Sequence, residues 1–135
     1  SAGKGVSHSE MNSHPTQTLH LMQIWLVPAE QNTEPRYQQM QFADSQQLAL
    51  VASPIEQEDS MHIKQDAAIY RLKFNQGEQI SLPSDRQYGY FHLIEGQGVI
   101  NDVGLTTGDA LISKDELALH FTALSNGQAL WFDLS

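Results

Sequence analysis

An all-β barrel or sandwich is the fold this sequence predicts, and three observations predict it. Apolar and polar residues alternate over short runs from residue 67 onward. Gly- or Asn-bearing turn signals separate those runs at the ~8–12-residue spacing of sandwiches and barrels. No segment carries a helical period.

The elements follow in order. Leu19 to Val27 is the strongest apolar stretch, with Leu19, Leu21, Trp25 and Val27 on one face and His20, Met22, Ile24 and Leu26 on the other. Both faces are apolar, which predicts a strand buried on two sides, with Trp25 in core packing and His20 either buried and hydrogen-bonded or supporting a metal ligand from behind. Pro28 ends it, and the Gln-rich residues 28–47 read as a long surface excursion. Leu48 to Ala52 is a short strand stopped by Pro54, and Gln57 to Lys64 a loop leading to a strand. Ala68, Tyr70, Leu72 and Phe74 alternate with Arg71 and Lys73 before the Asn75-Gln76-Gly77 turn. Ile80 and Leu82 form the next strand, and Pro83-Ser84-Asp85 turns the chain. Tyr88 to Glu95, Val99 to Val103, Ala110 to Ser113, Leu117 to Thr122 and Ala129 to Leu134 complete the series. The Gly108-Asp109 pair is a turn in which Asp109 bonds local backbone.

Composition narrows the function classes. The 135 residues suffice for one domain with a true core. A net charge of −9, with the Lys and Arg residues scattered, argues against a nucleic-acid surface. The absence of Cys removes disulfides and thiolate metal sites. No apolar run approaches the roughly 18 residues of a membrane span. No charged-then-apolar leader opens the chain, so a cytoplasmic protein is the expectation.

His8 and Glu10 are the residues that carry chemistry. Two apart on an extended segment, they share a face, as metal ligands donated by one β-strand do. The same residues on an exposed arm do nothing by themselves. His14 reads as a loop residue because Pro15 follows it. Glu56, Glu58 and Asp59 read as a solvated loop, with a weak cation site as the alternative, and Asp66 with Tyr70, like Arg36 with Tyr37, as packing or interface contacts without chemistry. No nucleophile triad and no phosphate-cradling Gly loop is present.

Gly5-Val6-x-His8-Ser9-Glu10, Leu19-His20-Leu21-x-Gln23-Ile24-Trp25-Leu26 and Pro35-Arg36-Tyr37 resemble the middle of pirin-family proteins. Gln65-Asp66-Ala67-x-Ile69-Tyr70 and Phe132-Asp133-Leu134 resemble that family's C-terminal barrel. The resemblance implies a cupin-type β-barrel, a double-stranded β-helix of the jelly-roll kind. It makes residues 1–27 a remnant of an N-terminal cupin with its crossing strand, and residues 28–135 the C-terminal cupin.

It further implies a mononuclear divalent metal, usually iron, held by three His and one Glu, with His8 and Glu10 matching the His-x-Glu half. The upstream His-x-His half is not among these residues, so this chain is expected to bind no metal tightly and to be inactive alone. The implied parent activity is opening of a flavonol with dioxygen, with Glu10 also taking the flavonol hydroxyl proton. The rival implications are a regulatory, protein-binding cupin and a purely structural second barrel. Expected partners are a flavonol-like small molecule and a second copy of the chain, with no nucleic acid and no membrane.

Cupins also present a Gly, five residues, then His-x-His. Counting from Gly77 puts Pro83 and Asp85 there, with Tyr90 near the usual Glu. Counting from Gly108 puts Leu119 at the last His, with His120 one residue off and so on the outer face. His92, alternating with Tyr90 and Ile94, is expected to point inward as a hydrogen-bonded core residue. The second barrel is accordingly expected to be metal-free.

Overall fold

Ten strands and no helix make up the computed structural model, which describes all 135 residues. They are β1 (Leu48–Ser53), β2 (Met61–His62), β3 (Ala67–Phe74), β4 (Gln79–Leu82), β5 (Tyr88–Glu95), β6 (Gln97–Ile100), β7 (Val103–Thr106), β8 (Ala110–Lys114), β9 (Leu119–Ala123) and β10 (Gly127–Leu134). One sheet runs β2-β1-β3-β10-β5-β8 and the other β4-β9-β6-β7. The crossing order, with β10 between β3 and β5, is that of a jelly-roll barrel. Without a helix, none is long and apolar enough to cross a membrane.

The alternation read from the sequence decides what the barrel holds. Leu72 and Phe74 of β3, Phe91 and Leu93 of β5, and Ala129 and Trp131 of β10 point inward. They meet Ile80, Leu82, Ile100, Leu105, Leu119, Phe121 and Ala123 from the second sheet and its neighbours. Phe121 packs on Phe74 at 4.8 Å and on Phe91 at 5.1 Å between ring centroids. A β-carbon on Gly89 would sit 2.0 Å from the Trp131 ring, so glycine is required where that ring crosses β5. Aromatic side chains thus fill the interior.

Four parts of the sequence reading need correction. Leu19–Val27 forms no strand, and Trp25 is 91% exposed rather than in a core. His20 is exposed as well. The pattern has the capacity for a strand, but the segment pairs with neither sheet, and unpaired extended backbone is not a ladder. Second, Val99 to Val103 is not one strand. Asn101, at φ 49°, and Asp102 turn β6 into β7 as a tight hairpin.

Third, the run expected from Leu117 starts at Leu119, and Leu117 is exposed. Fourth, His92 does not point inward. Phe91 and Leu93 take the inner positions of β5, which forces Tyr90, His92 and Ile94 to the outer face. His92 stacks on Tyr90 there, and its buried Nδ1 has no hydrogen-bond partner. His120 does lie outside, its Nδ1 3.1 Å from the Ser81 hydroxyl.

The outer face of the larger sheet is itself apolar. Ile69, Leu130 and Phe132 cluster there with Tyr90, Ile94, Met61 and Ile63, and Leu26 from the first segment packs onto them. Residues 1–47 contain no strand and are tied to the barrel at a few points. Ala29 N–H donates to Lys64 O at 3.0 Å, and the Gln65 side-chain amide donates to Val27 O at 2.6 Å. Arg36 donates to Glu56 at 2.8 Å and lies 3.1 Å from His62 Nδ1.

Candidate functional site

His8 and Glu10 sit on the first segment, not on a strand. The chain ahead of them is anchored. The Ser1 ammonium donates to Arg36 O at 2.8 Å, and Lys4 N–H donates to Thr33 O at 2.8 Å. His8 Nδ1 and Glu10 Oε1 lie 4.0 Å apart, on the shared face that their spacing dictates. Gln23 donates from Nε2 to the other carboxylate oxygen, Oε2, at 2.7 Å, which orients Glu10 and leaves Oε1 toward His8. Both side chains are open to solvent.

These residues can contribute to a metal centre but do not make one. Two cis ligands, each ~2.1 Å from an ion, stand roughly 3 Å apart, so the observed separation needs a small side-chain rotation. Nowhere in the chain do three or more His, Asp or Glu side chains converge as a metal site. His14 is spent otherwise: its Nδ1 accepts from Thr16 N–H at 3.2 Å and Gln17 N–H at 2.9 Å, closing a turn. A mononuclear cage of three His and one Glu does not fit the donors of this chain alone, and no chemical step through a metal follows from them.

The positions at which cupins place ligands are otherwise employed. Leu119 is core, Tyr90 faces outward, and Pro83 O accepts from Trp131 Nε1 at 2.6 Å. Asp85 N–H donates to the Asp133 carboxylate at 3.2 Å.

That carboxylate belongs to a cluster that reading the sequence missed. Asp133 is buried at the end of β10 and also accepts from Arg86 N–H at 3.1 Å and Arg86 Nη1 at 3.0 Å. Arg86 Nε donates to Asp66 at 2.7 Å. Burial opposes the Arg86 charge, but its bonds to Asp66 and Asp133 outweigh it and raise the guanidinium above its ordinary value. Burial, and then the nearby Asp133 and Asp85, push the Tyr70 phenol up. The cluster pins the 83–86 turn to β3 and β10. Its signal in the sequence was a lone acid among aromatic residues in Trp131-Phe132-Asp133-Leu134, since buried carboxylates need partners.

Comparison with known proteins places the molecule. The family model described as the quercetinase C-terminal cupin domain matches residues 50–134. The chain belongs to this family. A quercetin 2,3-dioxygenase of Escherichia coli K12 is 38% identical over 136 residues, covering 99% of this chain and 58% of its own length. A putative quercetin 2,3-dioxygenase of Pasteurella multocida is 36% identical over 138 residues, covering 99% and 59%. This quercetinase-family cupin therefore spans under three fifths of the length of those relatives. Among solved structures, YhhW from Escherichia coli superposes with a TM-score of 0.78 at 32% identity, over 82% of this chain and 48% of that one. The same bacterial pirin in complex with nickel(II) superposes with a TM-score of 0.74 at 33% identity, over 79% and 47%. The resemblance to pirins and the cupin barrel are both borne out.

Proposed function

We propose that this chain serves as the C-terminal cupin of a quercetin 2,3-dioxygenase-type protein acting on a flavonol-like small molecule. In this reading His8 and Glu10 are two of the ligands of a mononuclear divalent metal, iron by the pirin resemblance. Glu10 is also the base that accepts the substrate's hydroxyl proton, and the Gln23 amide on Oε2 keeps its carboxylate in place for it. When bound, the metal supplies Lewis acidity and redox capacity. The remaining donors come from outside these 135 residues, so the chain alone holds metal weakly and leaves flavonol intact.

The observation that carries the reading is the match of nearly the whole chain, the His8–Glu10 segment included, to a quercetin 2,3-dioxygenase. The nickel(II) complex of the related pirin supports a divalent ion. One observation favours a second role for the barrel itself. Phe74, Phe91, Phe121 and Trp131 fill its interior, which suits a supporting or protein-contacting part.

The test is metal content by mass spectrometry after loading with iron(II) or nickel(II), with His8→Ala alongside, followed by quercetin consumption under dioxygen. The expected result is well under one metal per chain, lost in the variant, and no consumption by either. Full loading in both proteins would put the ion elsewhere and overturn the reading. So would quercetin consumption that survives the substitution.

A further inference from the structure

Asn126-Gly127 closes the connection from β9 to β10, and it is the one place where this chain sets Gly after Asn. The pair carries its own chemistry. The Gly127 amide nitrogen, giving up its proton, bonds to Asn126 Cγ. The Cγ–Nδ2 bond breaks, and ammonia leaves with that proton. Water then opens the cyclic imide at either carbonyl, which gives aspartate or isoaspartate. The other four Asn residues precede Ser, Thr, Gln or Asp, whose side chains crowd the attacking nitrogen.

The native turn opposes this reaction. Asn126 is exposed, so water reaches it. Its Oδ1, however, accepts from Gln76 N–H at 2.9 Å, which turns the side chain toward the β3–β4 connection. The Ser125 hydroxyl donates to Asn126 O at 3.0 Å and so pins the peptide that holds the attacking nitrogen. Gly127 is the first residue of β10, paired with Phe74. Closing the imide needs Cγ to swing onto the Gly127 nitrogen within attack distance, and these contacts resist that rotation.

We propose that Asn126 is a modification site, deamidated through a cyclic imide with Gly127, and that Gln76 N–H is the latch that confines the reaction to openings of the turn. Ends of a ladder open locally before the barrel unfolds, so the modification records those openings. Its products disturb the same corner. Isoaspartate lengthens the main chain where a β-carbon on Gly127 would already sit 2.0 Å from Glu95 O. Either product adds a carboxylate to a cleft of about 500 Å³ that Asp44, Glu78 and Glu95 line. Lys73, the one cation of that cleft, is already bonded to Asp44. The site lies in the barrel and does not use His8 or Glu10.

The latch can be removed without rebuilding the turn. Gly77 at φ 87° and the bond from Glu78 N–H to Asn75 O at 3.2 Å make residues 75–78 a type II turn, with Gln76 where that turn accepts Pro. Gln76→Pro deletes the N–H donor, and Gln76→Ala keeps it as the control. The unsubstituted chain, both variants and the unsubstituted chain in concentrated urea are aged in mildly alkaline buffer. Peptide mass spectrometry then reads the gain of about one dalton at each Asn and the split into aspartyl and isoaspartyl forms. Asn126 should react first. Gln76→Pro should react about fivefold faster, the size of one net hydrogen bond, and Gln76→Ala at the unsubstituted rate. Urea should accelerate the reaction in the unsubstituted chain. Modification at Asn126 no faster than at Asn12 overturns the inference. Equal rates in Gln76→Pro and Gln76→Ala overturn it too, as does a native chain that reacts as fast as the unfolded one.

Discussion

Leu19–Val27 and Gly127–Leu134 read alike as sequence and end up as opposites. Each is a run of large apolar residues around a Trp. The second lies between β3 and β5, paired with β3 throughout and with β5 from Gln128 on, with Trp131 1% exposed. The first pairs with nothing and leaves Trp25 bare. Side-chain pattern sets the capacity to be a strand, and hydrogen-bonded pairing with a neighbour makes it one.

The sharpest way to break this comparison is to truncate the two Trp residues. Trp131→Ala empties the crossing over Gly89 and removes contacts with Phe91, at an expected cost of about 3–5 kcal/mol in denaturant unfolding. Trp25→Ala should stay within about 0.5 kcal/mol of the parent. Equal losses would mean that the first segment is part of the folded core, and the contrast would fail.

The next effect in size belongs to Asp133. Asp133→Ala leaves the Asp85 and Arg86 amides and one side of the Arg86 guanidinium without an acceptor, in a buried setting. Loss of one partner of a buried pair costs about 3–5 kcal/mol, reduced here because Asp66 still holds Arg86. We expect about 3 kcal/mol, with a conservative Asp133→Asn losing less. A neutral Asp133→Ala would show that Asp66 alone secures the 83–86 turn.

Legibility divides along the same line. β3, β5 and β10 were readable because alternation over eight residues and Gly- or Asn-bearing turns left one register. The β6–β7 hairpin was not, because its two-residue Asn101-Asp102 turn is short enough to lie within what reads as one run from Val99 to Val103. The Asp133–Arg86 contact spans 47 positions, and no local spacing announces it. His8 and Glu10 were readable as a pair because a two-residue spacing fixes their common face whether or not a ladder forms. Where His92 points was misread because the neighbouring Phe91 and Leu93 compete for the same interior. Patterns carry facing and strand capacity. Which edges meet is a property of the assembled barrel.

The smallest expected effect separates the two regions by pH and salt. In the barrel turns, the Thr106 backbone N–H and then its hydroxyl hold the Asp109 carboxyl below the usual range. The Asn75 backbone N–H, with the Gln47 and Asn75 side chains, does the same for Glu78. Between the first segment and the barrel, the Arg36 side chain lowers Glu56, and Lys73 lowers Asp44. A carboxyl whose folded value is depressed contributes stability above its unfolded value of about 4, and that contribution is lost as pH falls through the folded value. The melting temperature should therefore hold from neutral pH to about 5 and decline below about 4, and Asp109→Asn with Glu78→Gln should shallow the decline. Salt distinguishes the regions, because about 1 M screens the exposed ion pairs of the first segment while the turns rely on uncharged donors. The acid decline carried by Asp109 and Glu78 should persist at high salt. If high salt erases it, long-range charge rather than the local turn bonds sets the acid limit of the barrel.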